Sequence, residues 1–188
     1  MKLKQSLLTV AGAAALLFGG QASAVPVGLE LMLLIDVSGS VNLTEYGLQK
    51  QGYVNAFNSS AVQNAILGSQ GGSIAVTYIE WSGNSQLSTQ VGWTLINSAA
   101  SANSFAALIN GTSRAFNGNT AIQDAIGNSY KDFGTEVGGK SNGFESRRQV
   151  IDVSGDGADN DSSSFSAFGG GRNAAISAAS RACGERAS

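Results

Sequence analysis

Hydrophobic and polar positions along the chain form blocks that predict strands and helices in turn. The largely apolar run from Leu29 to Ile35 is typical of a strand buried on both faces of a parallel sheet. Residues 73–81 are rich in β-branched and aromatic side chains and are bounded by glycines, which predicts a second strand. Residues 148–153 predict another strand, and residues 90–96 alternate less regularly, as in a short edge strand.

Helical periodicity separates these strands. Asn42 and Glu45 have the N-cap and N3 chemistry of a helix start, and apolar residues follow at helical spacing. Residues 104–110 predict a second helix, and a third opens at residues 119–120. The apolar face of this third helix comprises Ile122, Ala125, Ile126, Tyr130 and Phe133. Because strands alternate with helices, we expect an α/β fold: a doubly wound, mostly parallel sheet with helices on both faces.

The first 24 residues have the pattern of a secretory signal peptide. Lys2 and Lys4 precede the apolar residues 7–18, and residues 22–24 (Ala-Ser-Ala) form a small-residue cleavage site. The apolar stretch is too short to span a bilayer. We therefore expect cleavage after Ala24, a secreted or periplasmic protein, and no membrane span after cleavage.

Composition excludes several classes of function. The 188-residue sequence contains no histidine, and its net charge is −2. Without histidine, Ser-His-Asp and Cys-His catalysis are excluded and a zinc site is disfavoured. With no basic stripe in the sequence, we expect no nucleic-acid partner. The single cysteine, Cys183, cannot form an internal disulfide.

The candidate chemistry follows the first apolar strand. Asp36, Ser38 and Ser40 occupy every second position there, so in extended chain their side chains can converge on one point. Ligands of open α/β sheets bind at the carboxyl ends of the strands. Thr120 and Asp156 lie in loops that we expect at the same edge. Such an oxygen-only set suits a hard divalent cation such as Mg²⁺.

This arrangement resembles the von Willebrand factor A-type domain and its metal-ion-dependent adhesion site (MIDAS). The family signature is D-x-S-x-S, then a threonine in a later loop, then an aspartate in a [ST]-D-G-like loop. Residues 36–40 (Asp-Val-Ser-Gly-Ser) match the first part, and Thr120 matches the second. Residues 154–157 (Ser-Gly-Asp-Gly) carry one extra glycine before the acid. Residues 53–57, 75–83 and 151–157 are similar to a bacterial secreted subgroup of this family (DUF1194-like).

The resemblance implies a mechanism. In such domains the two serines bind Mg²⁺ or Mn²⁺ directly, the threonine binds directly or through water, and the aspartates often act through water. Few anionic ligands contact the ion, so a carboxylate of a partner protein fills its open position. By this resemblance the metal ligands are Asp36, Ser38, Ser40, Thr120 and Asp156. The protein is then a secreted, non-catalytic binding module.

Two alternatives stay open. A Mg²⁺-dependent phosphotransfer or hydrolytic enzyme on a similar sheet would use Asp36 as its nucleophile. Haloacid-dehalogenase-like enzymes, however, need a second aspartate where Ser38 stands. The other alternative is a truncated remnant without function, because the family sheet normally continues with further strands and helices. We therefore expect an incomplete domain over residues 25–161 and a Ser/Gly/Ala-rich tail over residues 162–188.

Several other acidic or amide residues are interpreted as structural or solvated. Asp152 lies inside a predicted strand, where a structural role is favoured. Asp159, Asn160 and Asp161 lack the spacing of an EF-hand loop, so we expect them to be solvated rather than to bind calcium.

Overall fold

The computed structural model describes residues 23–155 and 157–163, which contain six strands and four α-helices. The strands are β1 (Val25–Pro26), β2 (Leu29–Asp36), β3 (Ile74–Trp81), β4 (Leu87–Ile96), β5 (Phe144–Glu145) and β6 (Gln149–Ser154). The helices are α1 (Leu43–Asn58), α2 (Ser60–Leu67), α3 (Ala99–Asn110) and α4 (Ile122–Ser129), and two 3₁₀ turns follow at Tyr130–Phe133 and Thr135–Val137.

The central sheet has four strands in the order β4-β3-β2-β6. β2 pairs in parallel with β3 and with β6, whereas β4 pairs antiparallel with β3 at the edge. Asp36 lies opposite Trp81, and Ile35 lies opposite Ser154, so the carboxyl ends of β2, β3 and β6 meet at one edge. β1 and β5 form a separate parallel pair. The predicted α/β class with a mostly parallel sheet is confirmed.

Helices cover β2 on both faces, which explains its apolar run. Leu33 and Ile35 pack in a core with residues of α1, α2 and α3. Met32 and Leu34 pack instead with residues of α4 and the 3₁₀ turn that follows it. Successive side chains of a strand point to opposite faces, so a strand covered on both sides needs apolar residues at nearly every position.

The helix starts follow from capping chemistry. Asn42 and Glu45 form the predicted capping box of α1. α3 begins at Ala99, earlier than the predicted residue 104, because the Ser98 side chain accepts a hydrogen bond from the Ser101 N–H. β4 likewise begins before residue 90, and α2 was not predicted. Neither α1, with 16 residues, nor any other helix in the described ranges has the length and hydropathy that a membrane crossing requires.

Candidate metal site

The loop after β2 presents one carboxylate and two hydroxyls at the end of the central strand. Asp36 and Ser38 are fully buried, and Ser40 is exposed. The Ser38 N–H donates to Asp36 Oδ1 at 2.8 Å, which turns the chain sharply after the strand. This turn brings Ser38 Oγ and Ser40 Oγ within 3.0 Å of each other.

Thr120 reaches the same point from the loop before α4. Its Oγ1 donates to Ser38 Oγ at 3.2 Å, although 82 positions separate the two residues, and its side chain is only 4% exposed. The two loops are joined by their backbones, since the Gly39 N–H donates to the Gly118 carbonyl at 2.7 Å. Three hydroxyls from two distant segments therefore form one cluster.

The third predicted loop borders this cluster. Asp156 itself lies outside the described residues, but Gly155 and Gly157 on either side of it are described. A Cβ added at Gly155 would lie 2.8 Å from Asp36 Oδ2. One added at Gly157 would lie 3.2 Å from Thr120 Oγ1. The loop thus approaches the cluster so closely that side chains at both glycines would crowd it.

Residues 157–163 close over Thr120. Asn160 Oδ1 accepts from the Thr120 N–H at 3.0 Å, and the Asn160 N–H donates to the Thr120 carbonyl at 2.9 Å. The Asp161 N–H donates to the same carbonyl at 3.1 Å, and Asp161 Oδ2 accepts from the Asn84 N–H. Asn160 and Asp161 therefore hold the backbone of Thr120 in place. Asn160 is exposed, as expected of a solvated residue, whereas Asp159 and Asp161 are half-buried and hydrogen-bonded to the protein.

The same segment caps α4. Ala121 at the N-cap position of α4 makes no side-chain cap hydrogen bond. Instead, Asp159 Oδ2 accepts from the Gln123 N–H at 3.2 Å, and Ser162 Oγ accepts from it at 3.1 Å. Burial alone would raise the pKa of Asp159, but hydrogen bonds from Ser162 and Gln123 outweigh it and hold that pKa below its usual value. The cap therefore favours the ionised carboxylate.

Arg114 stabilises the loop after β2 through hydrogen bonds to its backbone. Its Nη2 donates to the Val37 carbonyl at 2.9 Å and to the Ser38 carbonyl at 2.7 Å. Its Nε donates to the Phe116 carbonyl at 2.8 Å. One guanidinium thus fixes the serine loop against the segment that leads to Thr120. No motif in the sequence indicated this arginine.

A buried carboxylate supports the same segment. Glu80, fully buried in β3, accepts from the Ala115 N–H at 2.8 Å and from the Tyr46 hydroxyl at 2.9 Å. Burial raises the pKa of Glu80, and these hydrogen bonds oppose the rise. Burial and then the contact with Glu80 raise the pKa of Tyr46 to about 12. Glu80 is the single charged residue of β3, and this buried acid is the sequence signal for its supporting role.

Two further polar residues lie near the hydroxyl cluster or on the neighbouring strand β6, namely Ser82 and Asp152. Ser82, just after β3, donates through Oγ to the Asn119 carbonyl and accepts from the Gly118 N–H, both at 2.9 Å. Asp152 lies on β6 with its side chain exposed, and it accepts from the Tyr53 hydroxyl at 3.2 Å.

The donor set fits a small, hard cation. Oxygens at neighbouring corners of a Mg²⁺ octahedron lie about 3 Å apart, given bonds of about 2.1 Å. The two hydroxyl distances, 3.0 and 3.2 Å, have this size. Asp36 Oδ2 is buried at the base of the cluster. Within the described ranges, no group of three or more His, Cys, Asp or Glu side chains could hold a metal.

Comparison with solved structures shows the fold type. Proximal thread matrix protein 1 from the mussel byssus aligns with a TM-score of 0.52 and 17% identity, covering 74% of this chain and 34% of that one. A second structure of that protein, with a zinc-occupied MIDAS motif, aligns with a TM-score of 0.52 and 16% identity over the same shares. This chain thus spans about a third of the length of the mussel protein.

Weaker similarity extends to a bacterial protein. An aerotolerance-related membrane protein from Bacteroides fragilis aligns with a TM-score of 0.40 and 20% identity, over 66% of this chain and 53% of that one. No curated protein matches this chain in sequence.

A family match covers most of the chain. Residues 26–177 match the family described as "Protein of unknown function (DUF1194)". The match begins next to the predicted cleavage position and extends into the segment interpreted as a tail. It agrees with the subgroup indicated by the sequence motifs. The chain therefore belongs to the DUF1194 family, and its fold is of the von Willebrand factor A type.

Proposed function

We propose that this protein binds one divalent cation, Mg²⁺ or Mn²⁺, through Asp36, Ser38, Ser40, Thr120 and Asp156. The single observation that carries the proposal is the contact of Thr120 Oγ1 with Ser38 Oγ at 3.2 Å across 82 positions of sequence. Hydroxyls of distant loops gain little from meeting each other at a sheet edge. A shared ligand explains why two loops and their backbone contacts are arranged to bring them together.

The composition of the site supports a role in adhesion. Three of its five side chains are neutral hydroxyls, so the bound ion keeps most of its charge and attracts a further anionic ligand. Ser40 is exposed, which leaves the cluster accessible from solvent on one side. We therefore propose that a carboxylate of a partner protein completes the coordination, and that the module binds its partner through the ion.

The choice of metal follows from the donors. Mg²⁺ and Mn²⁺ prefer oxygen ligands, whereas zinc sites in proteins favour histidine and cysteine. The mussel protein with a zinc-occupied MIDAS motif supports occupancy by a divalent cation in a related fold. The absence of histidine from this sequence favours Mg²⁺ or Mn²⁺ as the resident ion.

The enzymatic alternative has less support. A nucleophilic aspartate must reach its substrate, whereas Asp36 is fully buried and its Oδ1 accepts the Ser38 N–H. We propose a binding module without catalytic activity. The signal-like residues 1–24, which fall largely outside the described residues, support export of the module.

Isothermal titration with MgCl₂ and MnCl₂ tests the proposal. We expect the protein to bind one equivalent of either ion, and Ser38→Ala to reduce the affinity at least about tenfold, since it removes the hydroxyl at the centre of the cluster. Ser85→Ala, at an exposed turn, is the matched control. Absence of binding by the folded protein, or equal affinity of the Ser38 variant, would refute the assigned site.

A further inference from the structure

A groove of about 280 Å³ opens beside the proposed metal site. Its described lining residues are Val41, Glu45, Gln49, Ser154 and Gly155. Gly155 also borders Asp36, and Val41 follows Ser40 directly in the chain. The groove therefore runs from the edge of the metal site into the gap between α1 and the end of β6.

Hydrogen-bond acceptors dominate the polar lining. Gln49 Oε1 is buried and has no hydrogen-bond partner within residues 23–155 and 157–163, while Gln49 Nε2 donates to Ser154 Oγ. Glu45 adds a carboxylate, of which Oε2 accepts the Asn42 N–H. Among the described lining residues there is no lysine or arginine. Because a buried acceptor without a partner is unfavourable, the groove suits a ligand that brings a donor and a positive charge.

We propose that this groove receives a basic side chain, lysine or arginine, from the partner residue next to the metal-bound carboxylate. The inference rests on the proposed function, since it assigns the second contact of the same partner. Val41, 5% exposed, provides an apolar wall for the methylene stem. Gln49 Oε1 accepts a hydrogen bond from the basic group, and Glu45 attracts its charge.

The groove can be tested without the metal. The ¹⁵N-labelled protein is titrated with N-acetyl-lysine methylamide or with the norleucine analogue, which has the same stem and no charge. The side-chain amide signal of Gln49 is assigned by its loss in Gln49→Leu. We expect the lysine derivative to shift this signal in a saturable manner and the norleucine derivative to leave it unchanged. Equal responses to both compounds, or no response to either, would overturn the assignment.

A second experiment links the groove to the metal. At saturating MgCl₂, acetyl-Asp-Lys-amide should bind about tenfold more tightly than acetyl-Asp-norleucine-amide in calorimetry. Glu45→Gln should remove most of this preference, because glutamine keeps the capping hydrogen bond of α1 but not the charge. Glu145→Gln, which removes the same charge on β5, should leave the preference unchanged.

The outcomes separate the two proposals. Failure of the protein to bind Mg²⁺, or of both peptides to bind the Mg²⁺-loaded protein, refutes the proposed function, and the lysine titration then decides the groove alone. Normal Mg²⁺ binding with equal affinity for the two peptides refutes the groove. Loss of the lysine preference in Glu45→Gln with unchanged Mg²⁺ affinity supports it.

Discussion

Replacement of Asn160 by alanine should weaken metal binding, although Asn160 is not among the proposed ligands. The side-chain oxygen of Asn160 accepts the Thr120 N–H at 3.0 Å, and Thr120 is 4% exposed. Alanine removes this acceptor but keeps the backbone hydrogen bond from residue 160 to the Thr120 carbonyl. The substitution therefore removes a single hydrogen bond, the one from the Thr120 N–H to the side chain of residue 160.

The magnitude follows from the burial of that N–H group. A buried donor that loses its partner costs about 1–3 kcal/mol. The lower part of this range applies here, because Asn160 is exposed and water can reach the position that its side chain leaves. Thr120 can lower this cost by moving towards solvent, which takes its Oγ1 away from Ser38 Oγ, 3.2 Å distant. Since the ion needs the original position, about 1–1.4 kcal/mol of this cost should appear as roughly five- to tenfold weaker Mg²⁺ binding.

Calorimetric titration with MgCl₂ measures the loss of Mg²⁺ affinity, and urea denaturation of the same samples measures the loss of stability. Asn160→Asp keeps an acceptor oxygen and should retain the affinity, while Asn128→Ala, on the exposed side of α4, is the control for alanine substitution. If Asn160→Ala lowers the urea midpoint but leaves the Mg²⁺ affinity unchanged, Asn160 stabilises the loop without positioning Thr120, and the reasoning fails.

Three further predictions follow from the surroundings of the site. Arg114→Gln should lower the free energy of unfolding by about 2–3 kcal/mol in urea denaturation, since it removes charge-assisted hydrogen bonds to two backbone carbonyls of the serine loop; an unchanged midpoint would contradict this. Gly157→Ala should weaken Mg²⁺ binding about three- to tenfold in calorimetry, because its Cβ would lie 3.2 Å from the threonine hydroxyl, whereas Gly47→Ala, with nothing within 4 Å of its Cβ, should not. Burial raises the pKa of Glu80 above its ordinary value of 4.5, so the folded state favours the protonated acid. The stability that this residue contributes is therefore present below pH 4.5 and is lost as the pH rises through the folded-state pKa. Glu80→Gln should therefore unfold at a higher urea concentration than the wild type at pH 7 and lose this advantage near pH 4; the reverse trend would contradict the sign.

The strongest predictions from sequence concerned features that residues close together in the chain define. The apolar run of β2 predicted a central strand because burial on both faces requires apolar residues throughout. Asn42 and Glu45 predicted the start of α1 because capping is a contact between near neighbours. The D-x-S-x-S pattern predicted three oxygen donors on one loop, because alternate residues of an extended chain lie on the same side.

Contacts between distant loops could not be predicted in the same way. Arg114 donates to carbonyls 76 and 77 positions away, and Asn160 accepts from a residue 40 positions away. Neither residue belongs to a motif, and the segment 159–161 was interpreted as solvated. Such hydrogen bonds depend on which loops the sheet order brings together, and no local pattern of residues encodes that proximity.

Local sequence patterns were enough to predict the alternation of strands and helices, and they place the candidate ligands, all of them oxygen donors, at the end of β2 and in two later loops. The tertiary structure decided which loops meet there. In the parallel pairing of β2 with β3 and β6, the strands end at one edge, so Thr120 Oγ1 comes within 3.2 Å of Ser38 Oγ. The tertiary structure also decided which residues hold these loops together, because every buried backbone N–H or carbonyl group needs a hydrogen-bond partner.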